Sequence, residues 1–430
     1  MLERLFQLKA HNTTIKNEII GGITTFLTMA YIIFVNPTIL AQAGMDSGAV
    51  FVATCVAAAV GCFIMGIYAN YPIALAPGMG LNAFFTYGVV QQMGYSWEQA
   101  LGAVFLSGCV FILISIFKIR EWVIGAIPSS LKLGIAAGIG LFLAMVALQN
   151  SGIIVNSKDT LVTLGDLSQP GPIFGLLGFF IISALSHLRV TGAVMVGILC
   201  VTLLSIIFGY SEFSGIISTP PSISPTFLEM DIKGAFNVGM ISVVFAFLFV
   251  DLFDTSGTLL GVGQRGGLLD SKGNLPRLKK ALLADSTATV IGAAFGTSST
   301  TSFIESASGV AAGGRTGLTA VVVGLLFLLS LFFSPLAASI PTYATAGALL
   351  YVAVLMASSL AKVDWEDISE SAPVLIAAFT MPLTYSIAHG IALSFISYAA
   401  IKLLSGQGKK VGISVYVLAA FFIIKYLYFT

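Results

Sequence analysis

Charge is what this sequence lacks most. Only 9% of its 430 residues are Asp, Glu, Lys or Arg, 57% are hydrophobic, and the mean hydropathy is +0.98. Soluble domains carry about 25% charged residues, so a soluble globular chain is excluded and a polytopic helical membrane protein is expected. A net charge of +1 offers no long basic surface, so no nucleic-acid partner is expected. Cysteine is scarce too. Cys55, Cys62, Cys109 and Cys200 stand in apolar runs without CxxC spacing, which argues for packing roles and against disulfides or zinc; no metal or other cofactor is expected. No HExxH, DDxxD or GxSxG pattern falls in a span, which argues against an intramembrane enzyme. The opening MLERLFQLKAHNTTIKNE has no signal-peptide core. With Leu2, Leu5 and Phe6 opposite charged positions, residues 1–18 are expected to form a short cytoplasmic helix on the membrane surface.

Long apolar runs are what the chain does have. With about 20 apolar residues to a crossing, conventional spans are expected at 19–41, 48–68, 99–117, 129–148, 172–187, 192–209, 238–262, 281–295, 318–334, 342–360, 372–388 and 391–404. Two further segments are broken. NYPIALAPGMGLNAFFTYG is interrupted by Pro72, Pro77, Gly78 and Gly80, with a usable helix from about Leu81; GTSSTTSFIESASG runs through six consecutive hydroxyl residues, Thr297 to Ser302. Such backbone is tolerated at membrane depth only where it lines a cavity. The broken segments fall third in each half of seven, and Pro128 and Pro341 enter the fifth and twelfth spans alike. An odd number of spans per half inverts the second repeat. The expected fold is therefore an all-α polytopic membrane protein of 14 segments in two inverted repeats, with broken third and tenth segments. Gly134 and Gly138 suit close helix packing in the fifth. The loop 263–280 carries Arg265, Lys272, Arg277, Lys279 and Lys280 against the single acid Asp270, which makes it cytoplasmic; the loops of Lys118/Arg120 and His187/Arg189 then fall on the same side. The apolar piece 411–429 either crosses again or lies along the bilayer.

The acids inside the spans carry the chemistry. Ionisable groups at bilayer depth usually face a wet cavity and mark a substrate or ion path. Asp251 and Asp254 are three residues apart in the eighth span, on neighbouring positions of one helix face, and Glu305 lies in the broken tenth. Carboxylates accept hydrogen bonds when ionised and donate one when protonated. They suit proton coupling and a flat ligand rich in N–H donors; an anion would instead want Arg or Lys, and Arg315 lies at the membrane edge. Asn82 offers an amide to a heterocycle edge, or caps the first half-helix. Ala83 beside it, and Phe84 and Phe85 after it, either line the ligand or pack in the core. Free N–H groups are expected near Leu81 and Phe303, with Ser302 adjacent. Asp285 opens the ninth span and either pairs with the basic loop or Arg315 or joins a proton path. His389 reads as a hinge or surface residue.

GITTFLTMAYIIFVNPTIL (22–40), ALAPGMGLNAFFTY, DLFDTSGTL and TSFIESASGV, in this order, resemble the nucleobase:cation symporters, specifically the adenine/guanine/hypoxanthine (AzgA-like) purine permease branch. The likeness covers nearly the whole chain. It implies a core domain of spans one to four and eight to eleven, here 19–120 and 234–336, and a gate domain, 121–233 and 337–410. An interfacial segment 1–18 and a C-terminal segment 411–430 lie outside these. It implies a purine nucleobase bound between the domains, often a homodimer, and residence in the inner (plasma) membrane. Carried over by motif, Asn82, Asp254, Glu305 and Asp251, with Phe303, Ser302, Phe84 and Ala83, bind substrate; Asp251, Asp254, Glu305 and Asp285 carry protons. The Gln-His pair of xanthine and uric acid carriers is absent from the first span, where Thr28 and Tyr31 stand instead, which argues against those substrates. The expected function is import of guanine/hypoxanthine, adenine or both by proton symport, core rocking against gate; sodium coupling, or an anion exchanger or channel of the same fold, is the alternative.

Overall fold

The computed structural model describes residues 2–116, 128–270 and 275–428. Lys118, Arg120 and Lys272, on which part of the charge argument rests, lie outside them. Among the described residues nine helices are long and apolar enough to cross a membrane, and three apolar helices are shorter. The chain is an all-helical polytopic membrane fold; the count of 14 remains an expectation.

The first span is not one helix. It divides into α2 (Ile15–Met29) and α3 (Ile32–Ala41), with Ala30 and Tyr31 between. After α4 (Ser47–Ile64) comes a short strand β1 (Leu75–Pro77), then a half-helix α5 (Met79–Ala83) that continues in wider i→i+5 turns to Gln92. There follow α6 (Trp97–Ile116), α7 (Ser129–Asn150), α8 (Pro170–His187) and α9 (Ala193–Ile207), with a hairpin of β2 (Ile154–Ser157) and β3 (Leu161–Leu164) before α8. The second half brings α10 (Val238–Arg265), α11 (Leu278–Phe295), strand β4 (Thr300–Ser302) and the half-helix α12 (Ser306–Ala311). It closes with α13 (Gly317–Ser330), α14 (Thr342–Ala357), α15 (Ile368–Leu383), α16 (Ile387–Leu404) and α17 (Ile413–Tyr428). Spans thirteen and fourteen start four residues earlier than expected, because the bend falls at Thr384–Ser386 and not at His389. His389 sits in the first turn of α16, its ring 5.8 Å from Tyr426.

Packing sorts the helices into two groups: α2 to α6 with α10 to α13, and α7 to α9 with α14 to α16. Small residues let the backbones approach, as expected where water supplies no drive between helices. Gly134 and Gly138 of α7 face Val374 and Met381 of α15. A Cβ at Gly317 would fall 1.8 Å from the Gly66 carbonyl oxygen. The C-terminal helix α17 packs on α16 of the second group and sets Phe421 against Phe245 of the first, ring centroids 5.6 Å apart.

The N-terminal segment is more than a surface helix. Phe6 and Leu8 bury against Leu318, Asn70 Nδ2 donates to the Phe6 carbonyl at 3.1 Å, and the last four of the eighteen residues already belong to α2. There Glu18 is fully buried. It accepts the backbone N–H of Arg315 (2.9 Å), Thr316 (3.2 Å) and Thr319 (3.2 Å), and the Thr319 hydroxyl (2.7 Å), and so caps α13 from another helix. The Arg315 guanidinium meanwhile donates to the carbonyls of Val310 and Gly314 at the end of α12.

Candidate functional site

The site is built where the two broken segments meet. Strand β1 pairs with β4 antiparallel, Leu75 opposite Ser302 and Pro77 opposite Thr300. The pairing extends at both ends, with Gly78 N–H on the Ser299 carbonyl and Phe303 N–H on the Ala74 carbonyl, each at 2.9 Å. The Phe303 N–H is therefore taken, and α12 starts only at Ser306, while α5 starts two residues before Leu81. Neither half-helix has a side-chain N-cap. An isolated pair of three-residue strands leaves its outer edges to be satisfied. On one side Leu75 N–H donates to Cys62 Sγ at 3.2 Å, and that thiol returns a bond to the Leu75 carbonyl at 3.4 Å. Cys62 thus does more than pack. On the other, the Thr289 hydroxyl lies 3.0 Å from the Thr300 carbonyl and 2.9 Å from Asp251 Oδ2, its one proton shared between them.

The acids occupy two environments. Asp251 (1% exposed) and Asp285 (0%) lie behind the strands, on α10 and α11, within electrostatic range of each other. Ser302 donates to Asp285 Oδ1 at 2.7 Å, and the Thr255 and Thr301 hydroxyls meet at 2.7 Å alongside. Asp251 Oδ1, Asp285 Oδ2 and Thr300 Oγ1 are buried with no partner among the described residues. Asp285 accordingly does not pair with Arg315. One turn along α10 from Asp251, Asp254 is exposed, and it heads a stripe of exposed positions, Gly257, Leu260 and Gln264, that runs toward the basic loop. A carboxylate at that depth cannot face lipid. We therefore read the stripe as one wall of a crevice, with Glu305, partly buried and within electrostatic range of Asp254, beside it. Tyr31, from the break in the first span, donates its hydroxyl to Glu305 Oε1 at 2.7 Å.

The remaining candidates face inward. Asn82 is 0% exposed, accepts the Ser298 hydroxyl on Oδ1 and leaves Nδ2 without a partner among the described residues. It does not cap the half-helix, because Gly78 holds the cap position and Asn82 N–H already bonds the Gly78 carbonyl. Phe84, fully buried, packs on Phe247 with centroids 5.0 Å apart, and Phe85 and Ala83 are likewise enclosed. Ser302 is engaged with Asp285, and Phe303 is 6% exposed. Beyond Asn82 the two helix groups close on each other. Asn150 Nδ2 of α7 donates to the Tyr87 hydroxyl at 2.8 Å, Gln92 donates to the Thr384 carbonyl, and a Cβ on Gly80 would meet Ile139. The crevice is shut on that side and open on the side of the basic loop. A separate cavity of about 520 Å³, lined by Phe34, Pro37, Phe51, Pro335 and Thr342 among others, contains none of the acids.

The chain as a whole has relatives in sequence and in fold. The sequence model of the Permease family matches residues 16–393. The chain belongs to that family. It is 52% identical over 428 residues to the adenine permease AdeP of Escherichia coli (strain K12), covering 100% of this chain and 96% of that one. To the guanine/hypoxanthine permease PbuG of Bacillus subtilis (strain 168) it is 46% identical over 439 residues, covering 99% and 100%. Among solved structures, the transmembrane domain of the cyanobacterial bicarbonate transporter BicA matches with a TM-score of 0.62 at 16% identity, over 89% of this chain and 97% of that one; at that identity the likeness concerns the fold alone. This member of the Permease family is an integral membrane protein and not an enzyme.

Sequence reasoning named Tyr31 only as standing in place of the Gln-His pair and gave it no partner, although a hydroxyl aromatic in mid-span is a signal. Glu18 carried another, an acid just inside the first helix. Cys62 carried none.

Proposed function

We propose that the chain imports purine nucleobases, adenine, guanine/hypoxanthine or both, in symport with protons. The observation that carries this is Asp254 standing exposed in a crevice beside Glu305, at the junction of the two broken spans. Two carboxylates facing a wet slot match a planar ligand with several N–H donors, and the Asn82 amide, which keeps an unused donor, complements a ring acceptor once the slot closes on it. The permeases AdeP and PbuG, similar over nearly their whole length, are named for adenine and for guanine/hypoxanthine. Behind the strands, burying Asp251 and Asp285 together as anions is unfavourable unless a proton or a cation accompanies them. That supports a coupling ion, and a proton is the one a carboxyl pair holds without further ligands; sodium is the alternative. Anion exchange is disfavoured because no Lys or Arg is seen beside Asp254 and Glu305 among the described contacts, and Arg315 turns its Nη1 to the carbonyls of Val310 and Gly314 at the end of α12.

In this reading the first helix group is a core that carries the site and the second a gate against which it rocks, with the basic loop cytoplasmic. The test is uptake of radiolabelled hypoxanthine and adenine by cells expressing the protein, with unlabelled adenine, guanine, hypoxanthine, xanthine and uracil as competitors, with and without a protonophore. Purine uptake that collapses with the protonophore, and is lost in Glu305→Ala and Asp254→Ala proteins that still reach the membrane, is the expected result. Uptake retained in either variant overturns the assignment of the site, and uptake indifferent to the protonophore but dependent on sodium overturns the coupling ion.

A further inference from the structure

We propose that Tyr31 is the positioning residue for Glu305, fixing which edge of that carboxylate the ligand meets and thereby selecting ligands by the direction of their N–H donors. The inference rests on the purine reading of the crevice. The geometry behind it is independent of that reading. Tyr31 lies at the break between α2 and α3 with 1% of its surface exposed, and its hydroxyl reaches Glu305 Oε1, 274 residues away in the chain, at 2.7 Å. Thr28, the other polar residue there, spends its hydroxyl on the Thr25 carbonyl of its own helix at 2.8 Å. Among the described residues, Tyr31 supplies the side-chain hydrogen bond to Glu305.

A glutamate carboxylate turns broadly about its last torsion. Partly buried at a helix start and not bonded to its own helix as a cap, Glu305 without Tyr31 would be free to turn its oxygens about that torsion. An O–H donor to one oxygen of a carboxylate is a short, strong bond with a defined plane. With Oε1 held, Oε2 and its lone pairs face the crevice from a fixed angle. A flat heterocycle carrying an N–H along that line binds without first ordering the acid; a ring with a methyl or a lone pair there is rejected, since a buried partner left unpaired costs more than a missing contact.

The experiment compares full-length wild-type protein with Tyr31→Phe and Tyr31→His in proteoliposomes, using tritiated hypoxanthine and competition by hypoxanthines methylated singly at each ring nitrogen. Insertion is checked by abundance and gel-filtration profile. Tyr31→Phe is expected to raise KM about tenfold with Vmax within about twofold, the effect of one lost bond to a charged group. The one methylated analogue that wild type rejects most strongly should lose most of its penalty in Tyr31→Phe, and Tyr31→His, which can donate from a ring nitrogen, should recover part of the KM. An unchanged KM, a uniform loss of all analogues, or abolished uptake without recovery in Tyr31→His would each overturn the proposal. Failure of the wild-type protein to transport any purine would overturn the function proposed above instead, whatever Tyr31 does.

Discussion

Asn150 Nδ2, at the last residue of α7, donates to the Tyr87 hydroxyl at 2.8 Å and so ties the two helix groups together on the side away from the basic loop. Beside it Gln92 donates to the Thr384 carbonyl across the same junction. The open stripe from Asp254 to Gln264 lies on the other side. A conformation shut on that side and open toward the basic loop is the one these bonds favour, which in the sidedness proposed above is shut outside and open inside. Removing one of them with Tyr87→Phe should shift the balance between the two arrangements by about 1 kcal/mol, a roughly fivefold change in their ratio. A cysteine at Ile139, buried against Gly80, should then react faster with a membrane-impermeant maleimide added from outside. Equal rates in the Tyr87→Phe and wild-type backgrounds would show that the bond does not hold the closure.

Glu18 predicts a second outcome, on stability and not on transport. Its four hydrogen bonds satisfy donors at the start of α13. In Glu18→Ala the N–H groups of Arg315 and Thr316 lose their carboxylate acceptor, while the Thr319 N–H keeps the Thr316 carbonyl and the Thr319 hydroxyl keeps the main-chain carbonyl of residue 18, so stability should fall by about 2–3 kcal/mol. Thermal unfolding in detergent should show the loss, with Glu18→Gln intermediate because an amide oxygen still accepts. A melting temperature unchanged in Glu18→Ala would mean that α13 is capped otherwise.

Two glycines should behave in opposite ways. Gly317 meets the Gly66 carbonyl backbone to backbone, and an added methyl has nowhere to go; Gly317→Ala should cost about 1–3 kcal/mol by overpacking. Gly257, on the crevice stripe, has nothing within 4 Å of an added Cβ. Gly257→Ala should be neutral or stabilising by up to about 1 kcal/mol, from the better helix propensity of alanine. Membrane abundance and thermal unfolding of the two proteins, side by side, check the contrast.

How much of this could be read beforehand follows from which signals are local. Pro72, Pro77, Gly78 and Gly80 announced the first broken segment, and the hydroxyl run 297–302 the second, because backbone that cannot be helical declares itself in a few residues. That the two would pair as strands is a relation between residues more than 200 positions apart, and no local pattern carries it. The break at Tyr31 was missed since Thr-Met-Ala-Tyr contains no breaker, and the partner its side chain finds, Glu305, lies 274 residues away. Asp251 and Asp254 looked equivalent on one helix face, yet one turns toward the strands and the other toward the crevice. Their spacing could not say so. For Asp285 the sequence left two readings open, a partner in the basic loop or Arg315 and a place on a proton path, and α11 carries it inward to Ser302, away from the first.

That inward position makes Asp285 the sharpest test of the coupling proposed above. Asp285 and Asp251 touch the strands from behind and do not line the open crevice, so they are suited to hold the driving ion while Asp254 and Glu305 hold the substrate. Asp285→Asn keeps a side chain of the same shape and can still accept the Ser302 hydroxyl, but it removes one ionisable member of the pair. A carrier without its coupling ion still exchanges substrate for substrate, because exchange needs only that the loaded site turn over, whereas accumulation against a gradient needs the ion to bias the two states. In proteoliposomes with an imposed pH gradient, Asp285→Asn should therefore lose gradient-driven accumulation by about tenfold or more, while exchange of labelled for unlabelled purine stays within about threefold of wild type. Asp254→Asn should lose both together. If Asp285→Asn accumulates substrate as wild type does, the pair behind the strands is a structural anchor for β4, and the driving ion is held in the crevice itself.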